Sequence, residues 1–319
     1  MNENFLINNY LKKLSKNNPS SLDLNDDVFF DKTKKLVISV DTYNEGIHFL
    51  NFNKPDLVIR KIIRSSISDI YAKGVKPNYF FLAGSGNKKH FTKKNMSLIN
   101  KSLFNEQKRF NIKLSGGDTT SSKYLSFTVI SLGYSNKIVY RNKAKIGDDI
   151  YLTGYIGDSY IGLKALKKKI ILNPNQKKYF IDKYYSPDLP KKFSSYLLKI
   201  ANCSMDVSDG LVIDLNKLIN KQKLGYLIDI ERIPISNHLK QLIKNKKLKK
   251  LDYLLNGDDY QILFTASKSK RAYIKSLSSK MNQKISIIGQ INSKSKNYLL
   301  DNRRIPIKYL KYQGYSHIF

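Results

Sequence analysis

The feature of this sequence that most constrains its fold is the segment Leu114-Ser-Gly-Gly-Asp-Thr-Thr-Ser121. It separates a short apolar run, 112–114, from the alternating and β-branched run 125–132, and both runs are typical of strands. Two adjacent glycines permit backbone conformations barred to other residues and let a ligand approach the main chain closely. A Gly-Gly-Asp turn between strands suits a phosphate and its metal ion. The same tripeptide is also an ordinary turn, so this segment alone leaves both interpretations open.

The first half of the chain alternates between helical and extended patterns. Apolar residues keep helical spacing from Pro55 to 73, with proline at the first turn and Gly74 at the end. Further helices are predicted at 3–15 and 92–110, and further strands at 36–40 and 78–84. This alternation predicts an α/β unit built around the glycine turn.

The second half begins after the polar segment 134–148, and we place the domain boundary there. The predicted domains are an N-terminal domain, 1–140, and a C-terminal α/β domain, 141–319. In the second domain the patterns predict strands at 149–153, 226–230, 261–265 and 285–289, and helices at about 158–168 and 189–200. The segment from Ser204 to Leu211 is expected to open a helix that ends near residue 220.

The net charge of +32 suggests a polyanion partner, but the kind of basic residue argues against it. Only eight of the 57 basic residues are arginine, whose planar fork is preferred in base and phosphate recognition. No nucleic-acid-binding motif accompanies the charge, so we expect no specific nucleic-acid partner. The single cysteine, Cys203, cannot form an intrachain disulfide, and the sequence contains neither a membrane-length apolar run nor a signal-peptide pattern. We therefore expect a cytoplasmic protein without a membrane partner.

Basic residues outnumber acidic ones by 57 to 25, yet aspartates recur where predicted strands end. They are Asp26, Asp27, Asp41, Asp118, Asp206, Asp209, Asp258 and Asp259, and Asp69 lies on a helix face among serines. A cap or turn role explains any one of them. As a set they favour a metal site, because two carboxylates about 4 Å apart repel by roughly 4 kcal/mol at an effective dielectric near 20 unless a cation lies between them. Oxygen ligands select Mg²⁺ or Ca²⁺, and Mg²⁺ normally accompanies a nucleotide phosphate.

The usual nucleotide and zinc motifs are absent from the sequence. There is no Walker A motif, and the four histidines and Cys203 lack zinc-ligand spacing. The chain instead resembles the thiamine-monophosphate kinases, members of the aminoimidazole ribonucleotide synthetase-like fold group. The resemblance is carried in order by Asp26-Asp-Val-Phe-Phe, Ser39-Val-Asp-Thr-Tyr-Asn-Glu-Gly-Ile-His-Phe49, Ser66-Ile-Ser-Asp-Ile-Tyr-Ala-Lys-Gly74, Ser115-Gly-Gly-Asp-Thr-Thr120, Thr153-Gly-Tyr-Ile-Gly-Asp-Ser159, Met205-Asp-Val-Ser-Asp-Gly-Leu211, Asn256-Gly-Asp-Asp-Tyr260, Ile287-Ile-Gly-Gln290 and Gly314-Tyr315.

The resemblance implies a two-domain α/β (α+β) fold in which N-terminal sheets of two subunits pair in a homodimer. It also implies ATP as co-substrate, several Mg²⁺ ions, and phosphorylation of thiamine phosphate to thiamine diphosphate. The implied metal ligands are Asp27, Ser39, Val40, Asp41, Asp69, Asp118, Asp206 and Asp209. Nucleotide contacts are implied at Gly117, Asp118, Arg141 and Ser208, and substrate contacts at His48, Asp258 and Tyr315.

Three positions depart from the family pattern: Asn25 replaces a glycine, Val40 a common threonine, and Asp258 a glutamate. Asparagine tolerates the left-handed conformation, and Val40 retains its backbone, whereas Asp258 is one methylene shorter than the family residue. The acceptor is an anionic phosphate oxygen, so we expect no general base and direct in-line transfer assisted by metals. Two alternatives remain: another ATP-dependent enzyme of this fold group, or a non-enzymatic basic polyanion-binding protein.

Overall fold

The structure is a computed structural model that describes residues 3–246, 248, 250–293, 296–301, 303, 306, 314, 315 and 317. Its helices are α1 Glu3–Leu6, α2 Pro55–Ala72, α3 Lys93–Phe110, α4 Asp158–Leu166, α5 Pro174–Tyr185, α6 Lys191–Ile200, α7 Leu211–Leu218, α8 Asn237–Lys246, α9 Leu251–Leu254 and α10 Arg271–Met281. Its strands are β1 Phe29–Asp31, β2 Leu36–Asn44, β3 Pro77–Gly86, β4 Lys113–Leu114, β5 Thr119–Ser121, β6 Ser126–Tyr134, β7 Asp149–Thr153, β8 Cys203–Asp206, β9 Gly225–Asp229, β10 Ile262–Ala266, β11 Ile285–Asn292 and β12 Tyr298–Leu300.

The N-terminal sheet has the strand order β1-β2-β6-β3-β4, and the short β5 also pairs with β3. Its long strands alternate between a buried face and an open face, as the two-residue period of a strand requires. Ser39 and Val129 point toward the core, whereas Val40 and Ile130, which are paired across β2 and β6, lie on the opposite face. The site described below is built on the core-facing side.

Helix α2 lies between the two domains, which explains why nearly all of it is buried. It packs against β2 and β6 on one side and against β8, α5 and α6 on the other. Isoleucines at Ile59, Ile62, Ile63 and Ile67 are fully buried in the core of the N-terminal domain. Because both flanks are covered by apolar packing, polar residues on this helix are held inside the molecule and not in solvent.

The C-terminal sheet has the order β12-β9-β11-β7-β10-β8. Every residue of the central β7 is buried, because apolar clusters cover both faces of the sheet. The segment 135–148 connects the two sheets, and the domain limits 1–140 and 141–319 stay a prediction. No helix among the described residues has the length and apolar character needed to span a bilayer.

The two-domain α/β architecture and its principal elements agree with the sequence prediction, with local corrections. The predicted helix 3–15 is one turn of α-helix followed by π and 3₁₀ turns. The expected strand 36–40 continues to Asn44, so Asp41 lies inside β2 and not at its end. The helix expected from Ser204 is a strand, β8, followed by a loop and α7.

Helix α5 was missed, although Asn173-Pro174 with Gln176 forms a capping box at its start. Helices α8 to α10 and strand β12 were also missed. The polar, lysine-rich sequences of α8 and α10 weaken the contrast between apolar and polar positions on which periodicity depends, and α9 and β12 are too short, at four and three residues, to show a period.

Candidate active site

A stripe of polar residues follows α2 at four-residue spacing: Lys61, Ser65, Asp69 and Lys73, the last being the residue that caps the helix. Because an α-helix has 3.6 residues per turn, residues four apart share one face. Lys61 and Lys73 are 1% and 0% exposed. The sequence analysis identified Asp69 and its serine neighbours but missed both lysines. They lie eight residues before and four residues after Asp69, a helical spacing that could have identified them.

Three carboxylates, which we call the acidic cluster, meet beside this stripe: Asp41 of β2, Asp69 of α2 and Asp206 of β8. The buried Ser39 hydroxyl lies 2.6 Å from Asp69 Oδ2 and 3.2 Å from Asp41 Oδ2, and its single proton serves one of them at a time. Ser68 donates a hydrogen bond to Asp206. Among the described residues none of the three carboxylates forms a salt bridge.

Burial, with smaller contributions from neighbouring carboxylates, disfavours the charged forms of the acidic cluster. It raises the pKa of Asp41 to about 6 and the pKa of Asp206 to about 7. It also raises the pKa of Asp69 well above its usual value, and Asp41 and Asp206 add to that effect. Asp206 is buried, whereas Asp41 and Asp69 are half-buried. Carboxylate and hydroxyl oxygens without a counter-charge are the donor set that a hard cation such as Mg²⁺ prefers.

The acidic cluster is not a preformed cage. In the described part of the chain, no three His, Cys, Asp or Glu side chains are grouped closely enough to hold one metal ion. Mutual repulsion of the carboxylates favours such separation in the absence of a cation. The chemistry of the donors fits Mg²⁺, and the ligand set remains a prediction.

Asp26 and Asp27 lie next to the acidic cluster but are paired with protein cations. Lys73 Nζ is 2.5 Å from Asp26 Oδ1 and 2.5 Å from Asp27 Oδ2, and the Arg141 guanidinium also pairs with Asp27. Burial alone would raise the pKa of Asp27, yet Arg141 and Lys73 together hold it below its usual value. Arg141 Nε is buried and has no hydrogen-bond partner among the described residues, so this guanidinium offers a further donor.

The glycine turn is held against β3 by main-chain contacts. A Cβ on Gly117 would lie 1.9 Å from the Leu82 carbonyl oxygen, so only glycine fits there. The amide of Gly84 donates to the Asp118 carbonyl at 2.8 Å, and the Asp118 carboxylate accepts the Thr119 amide. Asp118 is exposed, and among the described residues no hydrogen bond or ion pair joins it to the acidic cluster. The sequence analysis grouped Asp118 with the carboxylates of the acidic cluster, but the described residues show no bond between them.

The loop that carries Ser208 and Asp209 is organised by Asp214, which sequence reasoning missed. One oxygen of the buried Asp214 accepts the amides of residues 208, 209 and 210, each at 3.0 Å. Lys217 pairs with Asp209 and lies 3.7 Å from Asp214. Asp209 thus has a protein cation as partner, and its proposed metal role is untested. The signal for Asp214 was its place in the first turn of α7, where a carboxylate can accept free amides.

The predicted substrate residues His48 and Tyr315 are joined by His317. The His48 and His317 rings are 5.4 Å apart, and the Tyr315 hydroxyl is 3.3 Å from His317 Nδ1. His48 Nδ1 accepts the Asn44 amide at 3.0 Å, so in the neutral ring Nε2 carries the proton. Burial, helped by His317, lowers the pKa of His48 to about 4.

Asp258 lies on the loop beside Ser208, and its amide donates to the Ser208 carbonyl at 2.8 Å. Its carboxylate is 3.0 Å from Lys61 Nζ and accepts the Tyr260 hydroxyl at 3.0 Å. Lys61 Nζ also lies 3.6 Å from the centre of the Tyr184 ring, a cation–π contact. Tyr184 in turn donates to the His48 carbonyl at 3.3 Å. These contacts connect His48, Asp258 and Lys61 into one region.

Val40 differs from the other predicted ligands. Its side chain is 62% exposed on the face of β2 opposite Ser39 and Asp41. Only its main-chain oxygen has a suitable donor atom, because an alkyl side chain cannot ligate a metal ion.

A cavity of about 570 Å³ lies in the C-terminal domain, lined among others by Asp158, Lys183 and Asp259. Asp259 accepts the Gly157 amide at 2.7 Å and so serves the start of α4. None of the acidic cluster lines this cavity. The candidate site is therefore identified by the chemistry of the acidic cluster and not by the size of a cavity.

Comparison with known protein families covers both domains of the chain. Residues 25–134 match the AIR synthase related protein N-terminal domain, and residues 145–302 match the corresponding C-terminal domain. The chain is 34% identical over 324 residues to the thiamine-monophosphate kinase of Buchnera aphidicola subsp. Acyrthosiphon pisum, covering 98% of this chain and 97% of that protein. It is 29% identical to the thiamine-monophosphate kinase of Aquifex aeolicus, covering 75% and 78%.

A solved structure of AaThiL complexed with AMPPCP and TMP superposes with a TM-score of 0.85 at 25% identity, covering 99% of this chain and 97% of that one. The match extends across both domains and therefore includes the elements that carry the acidic cluster. On this sequence and structural similarity, the chain belongs to the thiamine-monophosphate kinase family of phosphotransferases.

Proposed function

We propose that this enzyme transfers the γ-phosphoryl group of ATP to thiamine monophosphate, giving ADP and thiamine diphosphate. The observation that carries the proposal is the acidic cluster. Its Asp41 lies on β2, which ends at Asn44, and the Asn44 amide donates to the proposed substrate residue His48. The solved relative bound to an ATP analogue and TMP supports the same pair of substrates.

The proposed reaction needs no general base. The attacking atom is an oxygen of the substrate phosphate, which is already anionic near neutral pH, so no proton has to be removed. Bound Mg²⁺ would supply charge neutralisation for the transferring phosphoryl group. The chain contributes the oxygens of Asp41, Asp69, Asp206 and Ser39, which would hold such ions and orient the two phosphates in line.

Arg141 and the glycine turn are the proposed nucleotide contacts. The Nε donor of Arg141 suits an anionic phosphate oxygen. A side chain at Gly117 would collide with the Leu82 carbonyl of β3, so the turn that presents these amides needs glycine at this position. The Ser208 amide donates to Asp214, and its hydroxyl, which has no partner in the described part of the chain, would contact the nucleotide. Asp118 would join the metal ligands only through the nucleotide, because it lies apart from the acidic cluster.

His48 is the proposed substrate-recognition residue. With Nδ1 occupied by the Asn44 amide, the protonated Nε2 of the neutral ring is a hydrogen-bond donor. Tyr315 adds an aromatic face and a hydroxyl, and Asp258 with Lys61 adds a charged pair. The shorter Asp258 still reaches this region, because its carboxylate contacts Lys61 and Tyr260.

The proposed homodimer would use the open face of the N-terminal sheet. Cross-strand neighbours there are Val40, Ile130 and Phe81 in one row and Ile38, Leu132 and Tyr79 in the next. Val40 and Tyr79 are 62% and 40% exposed, so the face presents a contiguous apolar surface that a second copy of the chain would cover. Sedimentation at micromolar concentration tests this. A cytoplasmic location also stays a prediction.

Purified protein incubated with ATP and MgCl₂ tests the proposed reaction. We expect thiamine diphosphate from thiamine monophosphate, and no comparable phosphorylation of free thiamine, whose hydroxyl would need a base. Equal turnover of both acceptors would contradict the base-free mechanism. ATP consumption without an acceptor would contradict the proposed substrate.

A further inference from the structure

Lys73 is a fully buried ammonium in an acidic site. Its Nζ donates to the Ser204 carbonyl at 2.9 Å and lies 2.5 Å from one carboxylate oxygen each of Asp26 and Asp27. Three oxygens around one cationic centre resemble the partial coordination of a metal ion.

The site has two ends, the pair Asp26 and Asp27 and the acidic cluster, and protein cations balance the negative charge only at the first, as far as the described residues show. Asp26 and Asp27 together carry two negative charges, and Lys73 with Arg141 supplies two positive ones. The Asp26 carboxylate is further satisfied by the amides of Asp27 and Arg141 at 2.9 and 3.0 Å. The acidic cluster, by contrast, carries three carboxylates and no salt bridge among the described residues.

Lys73 contacts Asp26 and Asp27 at one end of the site and lies close to the acidic cluster at the other. It follows Asp69 by one turn on the same face of α2, and it bonds the carbonyl of Ser204, two residues before Asp206 on β8. Burying an ammonium is costly, because it leaves water, and a buried ion pair is seldom the cheapest way to stabilise a fold. A function in charge balance explains its position better than packing does.

We propose that the Lys73 ammonium is a built-in cation that takes the place of a divalent ion at Asp27. While Lys73 is present, Asp27 ligates no metal ion, and divalent ions bind only at the acidic cluster and the nucleotide phosphates. Lys73 is therefore a positioning residue that fixes Asp27 and Arg141. The proposal rests on the proposed function, since the divalent ions concerned are those that phosphoryl transfer would use.

The test is the number of Mn²⁺ ions bound per chain in Lys73→Met, counted by electron paramagnetic resonance with saturating AMPPCP. Methionine keeps the length of the side chain and removes its charge. We expect one more bound Mn²⁺ per chain than in the parent protein, and a larger rise in Tm on adding 10 mM MgCl₂ at constant ionic strength, because a ligand stabilises the state that binds it. Equal Mn²⁺ numbers and equal Tm rises would overturn the proposal.

Arg64→Met is the matched control. Arg64 also lies on α2 and forms a buried pair with Glu106, at 2.8 and 3.0 Å, away from the acidic cluster. Removing its charge leaves the buried Glu106 with only Arg60, at 3.9 Å, as a cationic partner, just as Lys73→Met leaves Asp27 with only Arg141 among the described residues. A gain of Mn²⁺ in this variant equal to that in Lys73→Met would show a general response to a stranded carboxylate and would overturn the proposal.

Asp27→Asn keeps the proposal testable if Lys73→Met does not fold. With Lys73 in place, Asp27 is not a metal ligand, so this variant should bind the same number of Mn²⁺ ions as the parent. Loss of one ion would overturn the proposal. The Mn²⁺ counts do not depend on turnover. If the parent protein failed in the kinase assay, the proposed function would be rejected, while the counts would still decide whether Lys73 excludes a metal ion from Asp27.

Discussion

Asp206→Asn should make the metal-free protein more stable while abolishing most of its turnover. Asp206 is 2% exposed, and burial, assisted by other carboxylates, raises its pKa from 3.8 to about 7. At about 1.4 kcal/mol per pKa unit, keeping this group ionised above pH 7 costs the native state up to ~4 kcal/mol. Asparagine removes that cost, keeps an oxygen for the Ser68 hydroxyl, and offers its amide protons to the neighbouring carboxylates.

The pH dependence of the difference has a definite sign. The native carboxyl group binds its proton more tightly than the unfolded one, so the stabilising effect of the protonated group is fully present below pH 3.8 and is lost as pH rises through 7. The advantage of Asp206→Asn should therefore be absent near pH 4, grow between pH 4 and 7, and be complete at pH 8. A ~3 kcal/mol gain corresponds to a Tm about 6 °C above that of the parent.

The assay is thermal unfolding in chelator at pH 5 and pH 8, repeated with MgCl₂ and AMPPCP. Mg²⁺ and nucleotide should stabilise the parent more than the variant, since the variant has lost a ligand. Asp149→Asn is the control: Asp149 is equally buried but accepts Arg271 Nε and Nη2 at 2.6 and 2.7 Å, so its loss should destabilise. A lower Tm for Asp206→Asn at pH 8, with retained activity, would refute the role assigned to this carboxylate.

Three further predictions concern other parts of the molecule. Asp214→Ala removes the acceptor of three amides and should lower the free energy of unfolding by about 2–4 kcal/mol and raise the KM for ATP; an unchanged KM in steady-state kinetics would contradict its role in shaping the loop. Val40→Lys should weaken the dimer in sedimentation without changing monomer stability, since the side chain is exposed; an unchanged dimer at micromolar concentration would place the interface elsewhere. Burial lowers the pKa of His48 to about 4, so its contribution to the free energy of unfolding is lost as pH falls from 6.5 to 4. His48→Gln should flatten the dependence of this free energy on pH in urea unfolding and raise the KM for thiamine monophosphate. An unaltered pH dependence would contradict the shift.

The sequence predicted the site best where local chemistry and spacing carried the information. Gly117 could be identified because only glycine tolerates so close an approach to a neighbouring strand. Asp69 could be identified because its serine neighbours leave room on a helix face. Asp41, Asp69 and Asp206 were predicted as part of a larger set of metal ligands that also held Asp27, Asp118 and Asp209, and this ligand set stays a prediction. Asp41 lies within a strand, where the two-residue period directs it to the core beside Ser39.

What the sequence could not predict depends on contacts distant along the chain. The pairing of Lys73 with Asp26 and Asp27 joins the end of α2 to the segment before β1, and nothing local distinguishes this lysine from the many that are solvated. Lys61 is hidden in the same way, because its partner Asp258 lies far along the chain. An abundance of lysine masks functional lysines when composition is the only guide.

Direct transfer between two bound phosphates is the central claim of this account, and the stereochemical course of the reaction tests it. The measurement uses ATPγS made chiral at the γ-phosphorus by oxygen isotopes, with thiamine monophosphate as acceptor and Mg²⁺ present. A single in-line displacement predicts inverted configuration at phosphorus in the thiophosphorylated product. Retention would contradict the account, because it requires two displacements through a phosphorylated residue of the enzyme.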